Sequence, residues 1–248
     1  MILRGKAVLV TGASSGIGQA IAIAVAQKGA TAVVAYRENK EGAKQTLKEV
    51  ERYGVGHLVQ ADLSDQAETE SMFSYISEQI GFIDVLVNNA GDAQRSDFFN
   101  SQQWRNQFEN IFFSALNASQ FFLKQTKRSG VKKIINITSV YGNLNTGNNE
   151  FIAYSAAKSA LSSMTITLAK RDPKILVNAI APGYVWTPGW EEISDVEKKL
   201  CEAKTMIERF ILPEEIAHMT VAIIENDAVT GQVITVDGGF SLQKLERK

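Results

Sequence analysis

The feature that most constrains the fold is an alternation of short apolar segments with longer helical stretches. Seven segments rich in β-branched residues are expected to be strands: 7–10, 32–35, 57–60, 85–87, 134–137, 177–180 and 233–236. Because the connection between two parallel strands must be long enough to hold a helix, this alternation favours a parallel sheet. Continuous apolar runs such as residues 8–10 are typical of strands covered on both faces. We therefore expect an α/β fold with a seven-stranded, doubly wound parallel sheet and helices on both faces.

Composition narrows the class of protein further. Hydrophobic residues make up 45% of the chain, which is enough for a large core. The 26 basic and 27 acidic side chains nearly cancel, so no overall basic field exists to attract nucleic acid or anionic lipid. One cysteine and two histidines cannot supply an intrachain disulfide or a Cys/His metal site. We expect no metal and no nucleic-acid partner.

The chain carries no sign of a membrane or export segment. Its apolar runs are shorter than the roughly 20 residues needed to cross a bilayer, and its start lacks the pattern of a signal peptide. We expect a cytoplasmic protein without a membrane partner. In the absence of a linker or an internal repeat, residues 1–248 are expected to form one domain. Residues 187–210 break the strand-helix rhythm and are expected to be a substrate lid, or else a pair of surface helices.

A glycine-rich turn directly follows the first expected strand. Residues 11–18 read Thr-Gly-Ala-Ser-Ser-Gly-Ile-Gly and lead into a helical stretch at 19–28. Glycines at such a turn let the backbone approach a pyrophosphate, whose charge the helix N-terminus favours. The sequence therefore predicts a dinucleotide here. The expected contacts are Gly12, Ser14, Ser15, Gly16, Ile17 and Gly18.

The end of the second strand bears on the choice of dinucleotide. An acidic residue there normally binds the adenosine ribose of NAD, but this chain has Tyr36 and Arg37. An arginine can pair with a 2′-phosphate, and a tyrosine brings no negative charge to repel it. We expect NADP(H) to be preferred over NAD(H). The alternative is that Arg37 is an ordinary solvated side chain and that Glu38 holds the ribose.

Tyr154 and Lys158 are four residues apart in a helical stretch, so their side chains lie on one face. A tyrosine is a poor acid-base group at neutral pH, but a nearby cation favours the phenolate and lowers its pKa. The pair is therefore expected to transfer a proton, with Tyr154 as the donor.

Together, the turn spaced T-G-x-x-x-G-x-G and the Y-x-x-x-K pair resemble the short-chain dehydrogenase/reductase family. The resemblance implies a single Rossmann domain that binds a nicotinamide cofactor. It also implies four catalytic residues: Asn110, Ser139, Tyr154 and Lys158. Thr138 competes with Ser139 for the substrate-binding role. The alternative for Asn110, within an expected helix at 104–122, is a buried polar residue without a catalytic part.

The resemblance extends to further cofactor contacts along the chain. These are Asp62, Leu63, Asn89, Ala90, Gly91, Tyr154, Lys158, Pro182, Gly183, Val185 and Thr187. Asp62 has a structural alternative, since it could cap a helix that begins near Ser64 or Asp65. The loop at 143–152 is longer than in many family members, so the substrate pocket is expected to differ there.

For the substrate, the nearest resemblance is to 3-oxoacyl-[acyl-carrier-protein] reductases. Five basic residues could form a docking surface for an acidic carrier protein or simply a solvated helix end: Lys124, Lys127, Arg128, Lys132 and Lys133. The alternatives are a sugar, cyclitol or small-alcohol dehydrogenase, and a nucleotide-sensing protein without catalysis. The resemblance also implies a homo-oligomer, a tetramer or dimer. Its interface, or else the core, would contain Phe112, Phe113, Phe121, Phe122 and Leu161.

Overall fold

The sheet has seven parallel strands in the order β3-β2-β1-β4-β5-β6-β7. The structure, a computed structural model, describes residues 1–125, 130–143 and 146–242. Its strands are β1 (Ala7–Val10), β2 (Thr31–Tyr36), β3 (Gly56–Gln60), β4 (Val85–Asn88), β5 (Lys132–Ile137), β6 (Ile175–Pro182) and β7 (Val233–Val236). Every expected strand is confirmed, and five of them extend by one to four residues.

Helices cover both faces of this sheet. They are α1 (Gly16–Gln27), α2 (Lys40–Glu51), α3 (Gln66–Gln79), α4 (Ser101–Phe108), α5 (Ser114–Lys124), α6 (Ile152–Leu168), α7 (Asp195–Ala203) and α8 (Pro213–Glu225). Val8 and Val10 of β1 pack with side chains of α1 and α8, whereas Leu9 packs with Phe122 of α5 on the other face. Because successive side chains of a strand point to opposite faces, this division confirms the doubly wound arrangement.

The helix expected at 104–122 is interrupted. Between α4 and α5 the segment Glu109–Phe113 forms a π-helical turn. The Ser114 amide donates to the Glu109 carbonyl, five residues back, instead of the Asn110 carbonyl. The Ser114 hydroxyl donates to the Asn110 carbonyl instead, at 2.7 Å. Such single turns depend on a local side-chain partner that periodicity does not reveal.

A chain of buried amides joins the centre of the sheet to α6. Asn88 of β4 donates to the Asn136 side-chain oxygen of β5 at 2.8 Å, and Asn136 donates to the Thr165 hydroxyl at 2.8 Å. Each of these three residues is almost fully buried. Buried polar groups need such partners, so the chain fixes α6 relative to the strand ends.

The five apolar residues that we expected in an interface or in the core differ in how far they are buried. Phe121, Phe122 and Leu161 are buried, and Leu161 packs against Ile111 of the π-helical turn. Phe113 is 39% exposed. Three of the five therefore belong to the core.

The five basic residues of the expected docking surface are not all exposed. Lys133 is 1% exposed, and its ammonium pairs with Asp227 at 2.6 Å. Lys132 donates to the carbonyl of Gln125 at 2.6 Å. Lys133 is therefore not accessible to a carrier protein, because it is buried and its ammonium bonds the chain at the end of α8. Lys127 and Arg128 lie outside the described residues.

Residues 187–210 form one short turn and one helix, not a pair of helices. The turn is Pro188–Trp190, and α7 begins at a capping box formed by Ser194 and Glu197. Across the described ranges, no helix is long and apolar enough to span a membrane.

Candidate active site

The site begins where the strand order reverses. Strand β1 lies between β2 and β4, so the turns that follow β1 and β4 meet at the carboxyl edge of the sheet. The Thr11 hydroxyl accepts hydrogen bonds from the amides of Asn89 at 2.9 Å and Ala90 at 3.0 Å. In return, the Asn89 side chain donates to the carbonyls of Thr11 and Gly12, both at 3.0 Å. Asn89 therefore holds the glycine-rich turn in place.

Two glycines of this turn are required by close contact. Gly12 has a φ of +61°, and a Cβ there would lie 2.8 Å from the Ala90 Cα. A Cβ at Gly18 would lie 2.4 Å from the Gly12 carbonyl oxygen. Helix α1 starts with Ser15 as its N-cap, and the Ser15 side chain makes no capping bond. The first amides of α1 are thus available to a pyrophosphate.

A cavity of about 180 Å³ lies beside the ends of β2 and β3. Nine expected residues line it: Gly12, Ser14, Tyr36, Arg37, Asp62, Leu63, Ala90, Gly91 and Asn110. The Arg37 guanidinium lies 3.0 Å from the Glu38 carboxylate and 4.0 Å from that of Asp62. It also donates to the Asn110 side-chain oxygen at 3.4 Å. Arg37 therefore lines the cleft, with its side chain 47% exposed.

Asp62 does not cap the next helix. Asp65 does so, by accepting from the amides of Ala67 and Glu68. Asp62 accepts from the amide and hydroxyl of Ser64, at 2.9 and 2.7 Å. The cap alternative for Asp62 is therefore wrong, because the helix starts three residues later than that role requires.

A second cavity, of about 380 Å³, is lined by three of the four expected catalytic residues, whereas the fourth, Asn110, lines the first cavity. Ten expected residues line the second cavity: Ile17, Asn89, Gly91, Ser139, Tyr154, Lys158, Pro182, Gly183, Val185 and Thr187. Ser15, Gly16 and Gly18 line neither cavity but form the turn and the start of α1. The two cavities share Gly91. Together they can accept a dinucleotide, with adenosine in the first cavity and nicotinamide in the second.

Ser139, Tyr154 and Lys158 come together above the carboxyl end of β5. The Ser139 hydroxyl lies close enough to Tyr154 to lower its pKa, and the Lys158 ammonium lies 5.6 Å from the centre of the Tyr154 ring. That ammonium donates to the Ile137 carbonyl at 2.8 Å. The Thr138 hydroxyl donates to the Ile180 carbonyl at 2.9 Å. Of the two competing hydroxyls, Ser139 is therefore the one that influences Tyr154.

Burial governs the pKa values of this pair. It raises the pKa of the half-buried Tyr154 to about 12, and the nearby Ser139 hydroxyl acts in the opposite direction. It lowers the pKa of Lys158 to about 8, and the negative charge of Asp92 partly offsets this. We expected Lys158 to lower the pKa of Tyr154. The structure differs because removal from water has the largest effect on the pKa of Tyr154.

Asp92 is a site residue that the sequence patterns did not reveal. Its carboxylate accepts from the Asn110 side chain at 2.6 Å, and its charge raises the pKa of both Tyr154 and Lys158. A lone acidic residue after a strand carries no recognisable signal in one sequence. Its position depends on the π-helical turn that presents Asn110 to it.

The comparison with known families decides the class of this site. Residues 12–241 match a family model described as Enoyl-(Acyl carrier protein) reductase. The chain belongs to the short-chain dehydrogenase/reductase family. This short-chain dehydrogenase/reductase is therefore an NAD(P)-dependent oxidoreductase.

Curated relatives span almost the whole of this short-chain dehydrogenase/reductase. The uncharacterised oxidoreductase YohF of Escherichia coli is 38% identical over 244 residues, covering 94% of this chain and 95% of the relative. The 3-oxoacyl-[acyl-carrier-protein] reductase FabG of Staphylococcus aureus is 34% identical over 243 residues, covering 95% and 98%. The match to a 3-oxoacyl reductase agrees with the resemblance seen in the motifs.

Two solved structures show the same architecture. Acetoin dehydrogenase YohF from Salmonella typhimurium has a TM-score of 0.88 and 32% identity, covering 98% of this chain and 99% of that one. The RhlG/NADP active-site complex of Pseudomonas aeruginosa has a TM-score of 0.90 and 30% identity, covering 97% and 98%. The Rossmann fold of this short-chain dehydrogenase/reductase is thus established.

Asn89→Ala is expected to weaken dinucleotide binding roughly tenfold, because two carbonyls of the glycine-rich turn lose their donor. Titration with NADPH, followed by fluorescence, measures the dissociation constant. Asn106→Ala, an exposed position on α4, is the matched control and should bind as the parent does. Unchanged affinity in Asn89→Ala would show that the turn keeps its shape without this side chain.

Proposed function

We propose that this enzyme reduces a carbonyl to an alcohol with NADPH, and that Tyr154 donates the proton to the carbonyl oxygen. One observation carries the proposal. Ser139, Tyr154 and Lys158 line one cavity, and this cavity meets the dinucleotide cleft at Gly91. A substrate carbonyl in the cavity can therefore contact both hydroxyls beside the cofactor.

The roles of the two hydroxyls follow from their positions. When bound, the nicotinamide supplies a hydride to the carbonyl carbon. Ser139 donates a hydrogen bond to the carbonyl oxygen and orients it, and Tyr154 transfers its proton to the same oxygen. The transfer is favourable because an alkoxide is more basic than a phenolate, even for a phenol whose pKa is raised to about 12.

Lys158 stabilises the charge that remains on Tyr154. After proton transfer, the phenolate lies close to an ammonium that is 3% exposed and is held by the Ile137 carbonyl. Opposite charges in such a desolvated place attract strongly. With its pKa lowered to about 8, Lys158 is still mostly protonated at neutral pH.

NADP(H) as the preferred cofactor is supported by Arg37. Its guanidinium lines the first cavity, where an adenosine ribose would lie, and an arginine can form two parallel hydrogen bonds with a phosphate. Glu38 stands beside it, but its side chain is 80% exposed. The Pseudomonas aeruginosa relative is described as an NADP complex.

The first candidate substrate is a 3-oxoacyl thioester. Its support is the 34% identity to the reductase of Staphylococcus aureus that acts on this class. The second candidate is a small hydroxyketone or the related alcohol, supported by the 32% identity to acetoin dehydrogenase of Salmonella typhimurium. An enzyme assay with both classes distinguishes them.

Residues 187–210 are proposed to act as the lid of the cavity. Trp190, Ile193, Glu197 and Lys204 from this range line the same cavity as the catalytic side chains. The Trp190 ring packs against Phe210 with centroids 5.2 Å apart. A lid in this place would exclude water from the reacting groups.

Tyr154→Phe is expected to lower kcat/KM for carbonyl reduction by roughly 10² to 10⁴, the contribution typical of a general acid. NADPH oxidation, followed by absorbance, measures the rate, and a separate titration should show unchanged NADPH affinity. Tyr53→Phe, at a side chain that is 47% exposed, is the matched control. Near-parental activity in Tyr154→Phe would remove this residue from the mechanism.

Arg37→Ala is expected to lower kcat/KM with NADPH by roughly 10- to 100-fold, the value of a lost charge-assisted hydrogen bond, and to leave the NADH reaction nearly unchanged. Steady-state kinetics measures this effect as the ratio of kcat/KM with NADPH to kcat/KM with NADH. Arg52→Ala, at the far end of α2, should keep the parental ratio. A parent enzyme that prefers NADH would contradict the proposal.

The kcat/KM for reduction is expected to fall as pH rises through about 8, because Lys158 then loses its charge while Tyr154 keeps its proton up to about 12. A pH-rate profile checks this. Asp92→Asn should move the fall to lower pH, since the carboxylate raises the pKa of Lys158. Asp97→Asn, at an exposed site, should leave the profile unchanged. A profile that stays flat beyond pH 9 would contradict this role of Lys158.

A further inference from the structure

Two phenols outside the expected catalytic set meet in the substrate cavity. Tyr141 lies in the short turn Val140–Gly142 that follows β5, and Tyr184 follows β6. Their hydroxyls are 2.8 Å apart and hydrogen-bonded. Both side chains line the same cavity as Ser139 and Tyr154.

Aromatic packing holds the two rings in place. Tyr141 stacks on Phe151 with centroids 6.4 Å apart and an interplanar angle of 19°. Tyr184 packs edge-on against Phe240 at 5.2 Å and against Trp190 at 5.6 Å. The three contacting rings belong to the loop before α6, the segment after β7 and the proposed lid. The hydroxyl pair is therefore positioned before any ligand binds.

The pair keeps hydrogen-bonding capacity for a ligand. Two phenols carry two O–H donors, and their mutual bond uses one of them. Within the described part of the chain, neither hydroxyl forms another hydrogen bond that would use the second donor. Both side chains are half-buried and line the cavity, so this donor can bond a ligand oxygen there.

The two phenols are uncharged, which suits an uncharged ligand oxygen. Burial and the bond with Tyr141 raise the pKa of Tyr184 well above its ordinary value, so its phenol stays neutral. The charged groups that line the cavity are of both signs: Arg95, Glu150, Lys158, Glu197 and Lys204. Arg95 lies 3.6 Å from Glu150, so these two charges partly neutralise each other.

The backbone connects the pair to the carbonyl site. The Tyr141 amide donates to the Ser139 hydroxyl oxygen at 3.2 Å, so the two side chains sit on one short turn. Tyr141 also lies close enough to Tyr154 to raise its pKa. A substrate oxygen at the phenol pair would thus be near the carbonyl that reacts.

We propose that the Tyr141–Tyr184 hydroxyl pair binds a second, uncharged oxygen of the substrate, one or two carbons from the carbonyl that is reduced. This inference rests on the proposed carbonyl reduction and names its substrate class. Hydroxyketones and diketones carry the oxygen on the adjacent carbon, and 3-oxoacyl thioesters carry it one carbon further. A simple ketone carries none and would leave the phenol pair unsatisfied.

The test measures kcat/KM with NADPH for three kinds of substrate: butane-2,3-dione and acetoin, an acetoacetyl thioester, and butan-2-one. The parent enzyme should prefer oxygenated substrates to butan-2-one. Tyr141→Phe and Tyr184→Phe, which keep the ring, should each lower kcat/KM for the preferred substrate roughly tenfold and change butan-2-one less than twofold. Tyr75→Phe, at an exposed site on α3, is the matched control.

Each outcome has a defined meaning. If the two variants lose kcat/KM for the dione and acetoin alone, or for the thioester alone, the result supports the inference and identifies the spacing of the two substrate oxygens. An equal loss for all substrates, including butan-2-one, overturns it, because the pair then only shapes the cavity. A parent that reduces butan-2-one as well as the others overturns this inference and leaves the proposed function standing. A parent that reduces no carbonyl overturns both.

Discussion

The close backbone contact between the turn after β1 and the segment after β4 is the constraint on which the site depends. Gly12 and Gly18 permit it, since a side chain at either would collide with Ala90 or with the turn itself. Asn89 then bonds both carbonyls at the start of the turn. Because this contact lies where the strand order reverses, two cavities that share Gly91 lie along the carboxyl edge of the sheet.

The position of α6 above the sheet creates the catalytic environment. Lys158 is buried and donates to the carbonyl at the end of β5, which joins the helix to the strand edge. The same burial makes the Tyr154 proton hard to lose and the Lys158 charge hard to keep. Removal of water also strengthens electrostatic interactions with the charge that develops during the reaction. The burial that shifts these two pKa values therefore also suits proton transfer.

The two ends of the cleft are connected through side chains. Arg37 donates to Asn110, Asn110 donates to Asp92, and the charge of Asp92 acts on Lys158. The π-helical turn presents Asn110 at the centre of this line. A change at Arg37 can therefore alter the electrostatic surroundings of Lys158 without a movement of the sheet.

Local patterns in the sequence determined the seven strands, the glycine-rich turn and the pairing of Tyr154 with Lys158, because each depends on neighbours a few residues away. The π-helical turn, the burial of Lys133 and the contact of Asp92 with Asn110 could not be predicted in this way. The same holds for Tyr141 and Tyr184, which are 43 residues apart and meet only because β5 and β6 are adjacent. Only the tertiary structure decides which side chains from distant segments share one cavity, since that depends on how the loops pack at the edge of the sheet.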